Sequence, residues 1–202
     1  MSEIIGFNAT GSGNATSVRC LGNRIYTATR GGVTYTYRTG GTSSDRYDIT
    51  SLHFNLAASG AGNIRVAVYS ADLATLYAQG NAEVAVSDSG WYQHASVTQY
   101  AQIPGATDLV IAISNDDING KYGWATNYDG AASGDSKSST TDYTGNFTAP
   151  LDIATSRTAL VCAYAVVTLA AGGTPYTQSL DAAMTTFDVV NQKQTNKLFT
   201  AT

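Results

Sequence analysis

Charge is what this 202-residue chain has least of. Only 13% of its residues are Asp, Glu, Lys or Arg, against about 25% in an ordinary soluble domain. The shortage excludes long amphipathic helices with charged outer faces, and it leaves Ser, Thr, Asn and Gly to keep the surface wet. Histidine is nearly absent: His53 and His94 are the only two. They stand apart, with no HExxH or paired-cysteine spacing around them, so no zinc centre is expected. No stretch reaches the 18 or so consecutive apolar residues of a membrane helix. The 11 Lys and Arg are scattered and outnumbered by 15 Asp and Glu. A net charge of −4 is the wrong sign for neutralising phosphates, so neither nucleic acid nor a membrane surface is expected as partner. Residues 1–6 carry neither a basic start nor an apolar signal core, and folding in a cytoplasm is the expectation. The two cysteines, Cys20 and Cys162, lie far apart in the chain. Their spacing does not say whether they meet, and in a cytoplasm two reduced, buried thiols are expected.

What is present is period-two alternation. Val33, Tyr35 and Tyr37 alternate with polar residues over 33–38; Leu52, Phe54 and Leu56, then Ile64, Val66 and Val68, then Leu109, Ile111 and Ile113 do the same. Each reads as a strand with one face buried. Weaker strand signals cover 24–29, 76–78, 83–86, 91–97, 122–126 and 159–168. Turn signals separate them, among them Gly31-Gly32, Gly40-Gly41 and Asn119-Gly120. Short strands at this spacing, without interleaved helices, predict an all-β antiparallel sandwich over residues 20–170. Residues 1–19 are then an N-terminal arm and 171–202 a C-terminal extension beyond the boundary Gly172-Gly173-Thr174-Pro175. The polar, glycine-rich stretch 128–150 reads as a long loop at one end of the sandwich, of a length that is often functional.

Candidate chemistry is sparse. Asn115, Asp117 and Asn119 match the alternate ligand positions at the start of a calcium loop, with Gly120 at the sharp turn. The twelfth position is Thr126 rather than Glu, so a plain turn is the stronger reading. Seven aspartates could meet as a glycosidase pair, but they fall in loops where turn chemistry explains them. The aromatics Trp91, Tyr92, Tyr122, Trp124, Tyr128 and Tyr143 flank loops and make a candidate sugar-stacking face, with core packing as the competing reading. For assembly, the apolar residues outside the sandwich are the candidates. These are Ile4, Ile5 and Phe7 in the arm, and Leu180, Met184, Phe187, Val190, Leu198 and Phe199 in the extension. No cofactor is indicated.

A resemblance enters between Ile49 and Asp116. The order is Leu52-x-Phe54-x-Leu56, Ile64-Arg65-Val66-Ala67-Val68-Tyr69-Ser70, Leu76-Tyr77-Ala78-Gln79, Gly90-Trp91 and Thr107-Asp108-Leu109-Val110-Ile111-Ala112-Ile113-Ser114. It resembles a jelly-roll sandwich found in virion appendage and structural proteins of tailed bacteriophages, and in some carbohydrate-binding domains. The chain departs from that pattern where Ala71-Asp72-Leu73-Ala74 replaces the usual Pro-Gly. Its end, Lys193-Gln194-Thr195-Asn196-Lys197-Leu198-Phe199-Thr200-Ala201-Thr202, is similar to segments closing phage structural proteins. The resemblance implies a non-enzymatic virion protein, a capsid decoration (cement) protein or an appendage subunit such as a tail or head fibre. Its partners would be copies of itself, a trimer being expected, and other virion proteins. Recognition of a surface glycan is the alternative function, and a glycoside hydrolase a more distant one.

Overall fold

The computed structural model describes residues 2–11, 13–14, 18–57, 62–117, 123–125 and 128–170. Strands carry the fold. The first third holds β1 (Ser2–Gly6), β2 (Gly13–Asn14), β3 (Cys20–Asn23), β4 (Thr27–Arg30), β5 (Val33–Thr36) and β6 (Arg46–Leu56). Next come β7 (Gly62–Ser70), β8 (Leu76–Gly80), β9 (Val84–Val86), β10 (Gly90–Gln93), β11 (Val97–Gln99) and β12 (Ile103–Pro104). The last are β13 (Leu109–Asn115), β14 (Gly123–Ala125), β15 (Ser136–Ser139), β16 (Thr155–Arg157), β17 (Leu160–Val161) and β18 (Ala163–Leu169). The described residues contain no helix, hence none long and apolar enough to cross a membrane.

Two antiparallel sheets face each other. The first runs β1-β18-β6-β10, with β12 also on β6; the second runs β11-β8-β7-β13-β3-β15-β16, with β9 on β7. Alternation sends Leu52, Phe54, Ala163, Ala165 and Val167 of the first sheet inward. They meet Val66, Val68, Leu109, Ile111 and Ile113 of the second in one continuous core. Two smaller pieces complete the fold: β17-β14-β2 and the hairpin β4-β5. The hairpin turns on Gly31-Gly32, both at positive φ (58° and 78°), which suits a two-residue loop between right-twisted strands.

The structure corrects several expectations. The N-terminal segment is not wholly an arm, because β1 pairs along its full length with β18 and Ile5, with Phe7 just beyond the strand, is buried in the core. The strand signal at 33–38 is a hairpin arm, not a half-buried sandwich strand: Val33 is 53% exposed while Tyr37 is buried. The signal at 91–97 divides at His94, where the chain leaves the first sheet (β10 on β6) and enters the second (β11 on β8). Likewise 159–168 divides at Cys162 into β17 and β18.

The largest correction concerns 128–150. Ser136–Ser139 is a strand paired with β3 on one side and β16 on the other. Residues 143–153 then lie over the outer face of the second sheet. Tyr143, Phe147, Leu151 and Ile153 cover Ala67, Tyr69, Val110 and Ala112 in a second core. Tyr143 stacks on Phe147, ring centroids 5.4 Å apart. Side chains of the sheet hold the backbone of this cover. Ser114 Oγ accepts from Tyr143 N–H at 2.9 Å, Gln79 Oε1 from Phe147 N–H at 2.9 Å, and the Tyr69 hydroxyl donates to the Thr148 carbonyl at 2.7 Å. β13 is therefore buried on both faces.

Candidate functional site

The outer face of the first sheet is where the candidate site assembles. Registers place Trp91 of β10, Ser51 and His53 of β6, Tyr164 and Val166 of β18, and Ile4 of β1 side by side. Tyr164 pairs with His53, Val166 with Ser51, and Ile4 with Val166. Their neighbours Tyr92, Phe54, Ala165 and Ile5 point the other way into the core, as the two-residue period of a strand requires. His53 lies flat on Tyr164 (centroids 4.4 Å, planes 5° apart), and Trp91 meets the same ring at 5.3 Å. Ile4 is 50% exposed and Trp91 39%.

The stripe formed by Trp91, His53, Tyr164, Val166 and Ile4 is aromatic, aliphatic and uncharged at neutral pH. Partial burial lowers the pKa of His53 from its ordinary value, which keeps the imidazole neutral there. Its Nε2 lies 2.9 Å from Ser51 Oγ. Side chains two apart on one strand face meet in this way, and the imidazole's own stacking fixes its plane.

Few of the aromatics expected to stack on sugar share a face. Tyr92 packs inward on Phe54 at 5.6 Å. Tyr128 and Tyr143 are buried, Tyr128 donating its hydroxyl to the Asp135 carboxylate and Tyr143 to the Asp152 carbonyl at 3.3 Å. Burial pushes both phenols to higher pKa. Tyr122 and the side chain of Trp124 lie outside the described residues. Of these candidates, Trp91 alone is exposed among the described residues.

The calcium reading fares similarly. Asn115 is buried at the end of β13, its amide donating to the Arg19 carbonyl at 3.4 Å. Asp116 accepts from the backbone and side-chain nitrogens of Asn63, each at 2.8 Å. Asp117 is exposed, and Asn119 lies outside the described residues. Among the described residues no three His, Cys, Asp or Glu side chains gather to hold a metal ion.

Of the assembly candidates, Ile4 is exposed, whereas Ile5 and Phe7 are spent on the chain's own core. Leu180, Met184, Phe187, Val190, Leu198 and Phe199 lie outside the described residues. Cys20 and Cys162 are free and buried in different cores. Burial raises both thiol pKa values, that of Cys162 to about 12, so neither is a ready nucleophile.

Sequence reasoning missed His53, Tyr164 and Val166 as site residues. Their signal is the outward half of alternations, His53 between Leu52 and Phe54, and Tyr164 and Val166 between the core residues Ala163, Ala165 and Val167. No protein-family model and no curated protein matches the chain.

Proposed function

We propose that this chain is a non-enzymatic structural subunit of a tailed-bacteriophage virion, a decoration or appendage protein of jelly-roll type, that works by contacts between copies of itself. The observation that carries the reading is the uncharged stripe Trp91-Tyr164-His53-Val166-Ile4 on the outer face of the first sheet. Desolvating such a surface costs little, because no ion has to leave water, and an aromatic centre is what a contact needs to gain energy on closing. The low charge of the chain and the resemblance over Ile49 to Asp116 support the same reading. Copies that meet head to tail about a rotation axis close into a ring, and a trimer is the order proposed.

The test is composition of the particle. Purified virions of the phage that encodes the chain, analysed by quantitative mass spectrometry, are expected to contain it in a fixed multiple of the other structural proteins. Recovery only from the soluble lysate, with none on density-purified particles, overturns the proposal.

A further inference from the structure

On the opposite side of the molecule, where the 143–153 cover meets β8 and the end of β11, lies an open groove of about 490 Å³. That size falls within the range of small-ligand sites. Thr75, Leu76, Tyr100, Asn146, Phe147 and Thr148 line it. No Asp, Glu, Lys, Arg or His is among the lining residues. Tyr100 is 54% exposed, and among the described residues no other ring packs against it.

A buried side chain sets the polar groups of the groove. Gln79 is only 2% exposed. Its Oε1 accepts from the backbone N–H of Phe147 at 2.9 Å and lies 3.5 Å from the donor Nη1 of Arg65. A backbone N–H can only donate, so the amide has one orientation, and Nε2 must face the groove. From there it donates to the Tyr100 hydroxyl oxygen at 2.5 Å and to Asn146 Oδ1 at 2.6 Å. The consequence passes outward. Tyr100 has accepted on its oxygen and keeps its proton to give, and Asn146, whose oxygen is engaged, presents its two N–H donors outward. Arg65 lies beneath, its Nη1 held by the Gly145 carbonyl at 2.6 Å. The groove therefore offers a half-exposed aromatic ring, pre-aimed O–H and N–H donors, the threonine hydroxyls and an apolar floor from Leu76 and Phe147.

We infer that this groove is a binding site for a neutral saccharide ring. The C–H face of a pyranose, polarised positive at its hydrogens, suits the negative face of an aromatic ring. Its hydroxyl and ring oxygens accept from Tyr100 and Asn146. The inference does not rest on the assembly reading, because the stripe lies on the first sheet and the groove on the outer side of the second.

The experiment is an NMR titration of the full chain with glucose, galactose and N-acetylglucosamine, and with glucuronic acid as a charged comparison. Saturable shifts are expected at the amides of 75–76, 100 and 146–148 and at the Asn146 side-chain NH₂, at sugar concentrations on the order of millimolar. Tyr100→Ala is expected to weaken binding about tenfold or more, and Tyr100→Phe by less, since it keeps the stack and loses only the donor. Asn146→Ala gives the same test from the other wall. No saturable shift with any neutral sugar, shifts mapping elsewhere, tighter binding of glucuronic acid, or equal binding by Tyr100→Ala each overturns the inference. The wild-type titration decides even if a variant fails to fold.

Discussion

His94 shows how one side chain can tie two sheets and set a pH limit on the fold. Its Nε2 accepts from Val66 N–H at 3.0 Å, filling the gap along β7 between the partners β8 and β9. Its Nδ1–H donates to the Ala82 carbonyl at 3.1 Å, and its backbone N–H donates to Leu52 in the other sheet at 3.0 Å. Protonation would set an N–H against the N–H of Val66. Burial, with smaller contributions from Arg65 and His53, lowers the pKa to about 4 against the Ala82 bond that raises it. The unfolded chain titrates near 6.5, so between about pH 6.5 and 4 it binds more protons than the fold. Stability therefore falls as the pH falls through that window, by about 2–3 kcal/mol in all. Urea unfolding at pH 7.5 and pH 4.5 is expected to show this slope, and His94→Gln to flatten it; equal slopes in the two proteins would refute the assignment. Gly80 makes room for the ring, since a Cβ there would lie 2.2 Å from Nδ1. Gly80→Ala should displace His94, orphan the Val66 N–H and cost about 1–3 kcal/mol at neutral pH, read as a lower urea midpoint.

At the scale of elements, the 143–153 cover is a segment without regular structure whose most buried anchor is Phe147. The ring is 1% exposed, on Tyr69 and Tyr143. Phe147→Ala is expected to cost about 3–5 kcal/mol and to raise amide exchange at 143–153 and in β13 together, while protection in the β1-β18-β6 sheet is kept. Uniform loss of protection would show that the cover does not open as a unit. This element also marks where sequence reasoning ran out. β6, β7 and β13 were legible because their inward residues alternate strictly. In β13 the outward Val110 and Ala112 are apolar as well, and that near-continuous run is the mark of a strand covered on both faces. What covers them comes from a stretch whose four apolar anchors, at 143, 147, 151 and 153, are spaced by four, four and two with Gly145 and Pro150 between them, a pattern that fits neither a strand's alternation nor an unbroken helix. β15 was illegible for a different reason. Ser136-Lys137-Ser138-Ser139 has no hydrophobic residue, and it is the pairing with β3 and β16 that makes it a strand. The opposite error came from Val33-Tyr35-Tyr37, whose alternation was real but whose hairpin extends past the core. The stripe on the first sheet was half legible: Trp91 stood out by type, whereas His53, Tyr164 and Val166 share its face only through pairings between distant parts of the chain.

For the whole molecule, the distribution of charge decides how copies would attract one another. The chain carries −4, so two copies repel weakly at long range, and the stripe contributes no ion to offset this. Contact through it would rest on apolar burial, which salt does not screen, while the repulsion is screened over about 10 Å at 0.1 M. The two ion pairs among the described residues, Arg19 with Asp142 and Arg38 with Asp108, lie within the chain and would not bridge copies. Raising NaCl from about 0.02 to 0.5 M should therefore leave self-association unchanged or strengthen it. An ionic interface would weaken several-fold over the same range. Sedimentation velocity distinguishes the two. Trp91→Ser and Ile4→Ser should each weaken association about tenfold, a loss of roughly 1.4 kcal/mol, with thermal unfolding of the monomer nearly unchanged because both side chains are substantially exposed. Ile5→Ser, one residue from Ile4 but facing the core, should instead lower the unfolding temperature, since it puts a hydroxyl where the two sheets meet. If Ile4→Ser and Trp91→Ser associate as the wild type does, or if association collapses with salt, the copies meet through some other surface and the outer face of the first sheet is not their contact.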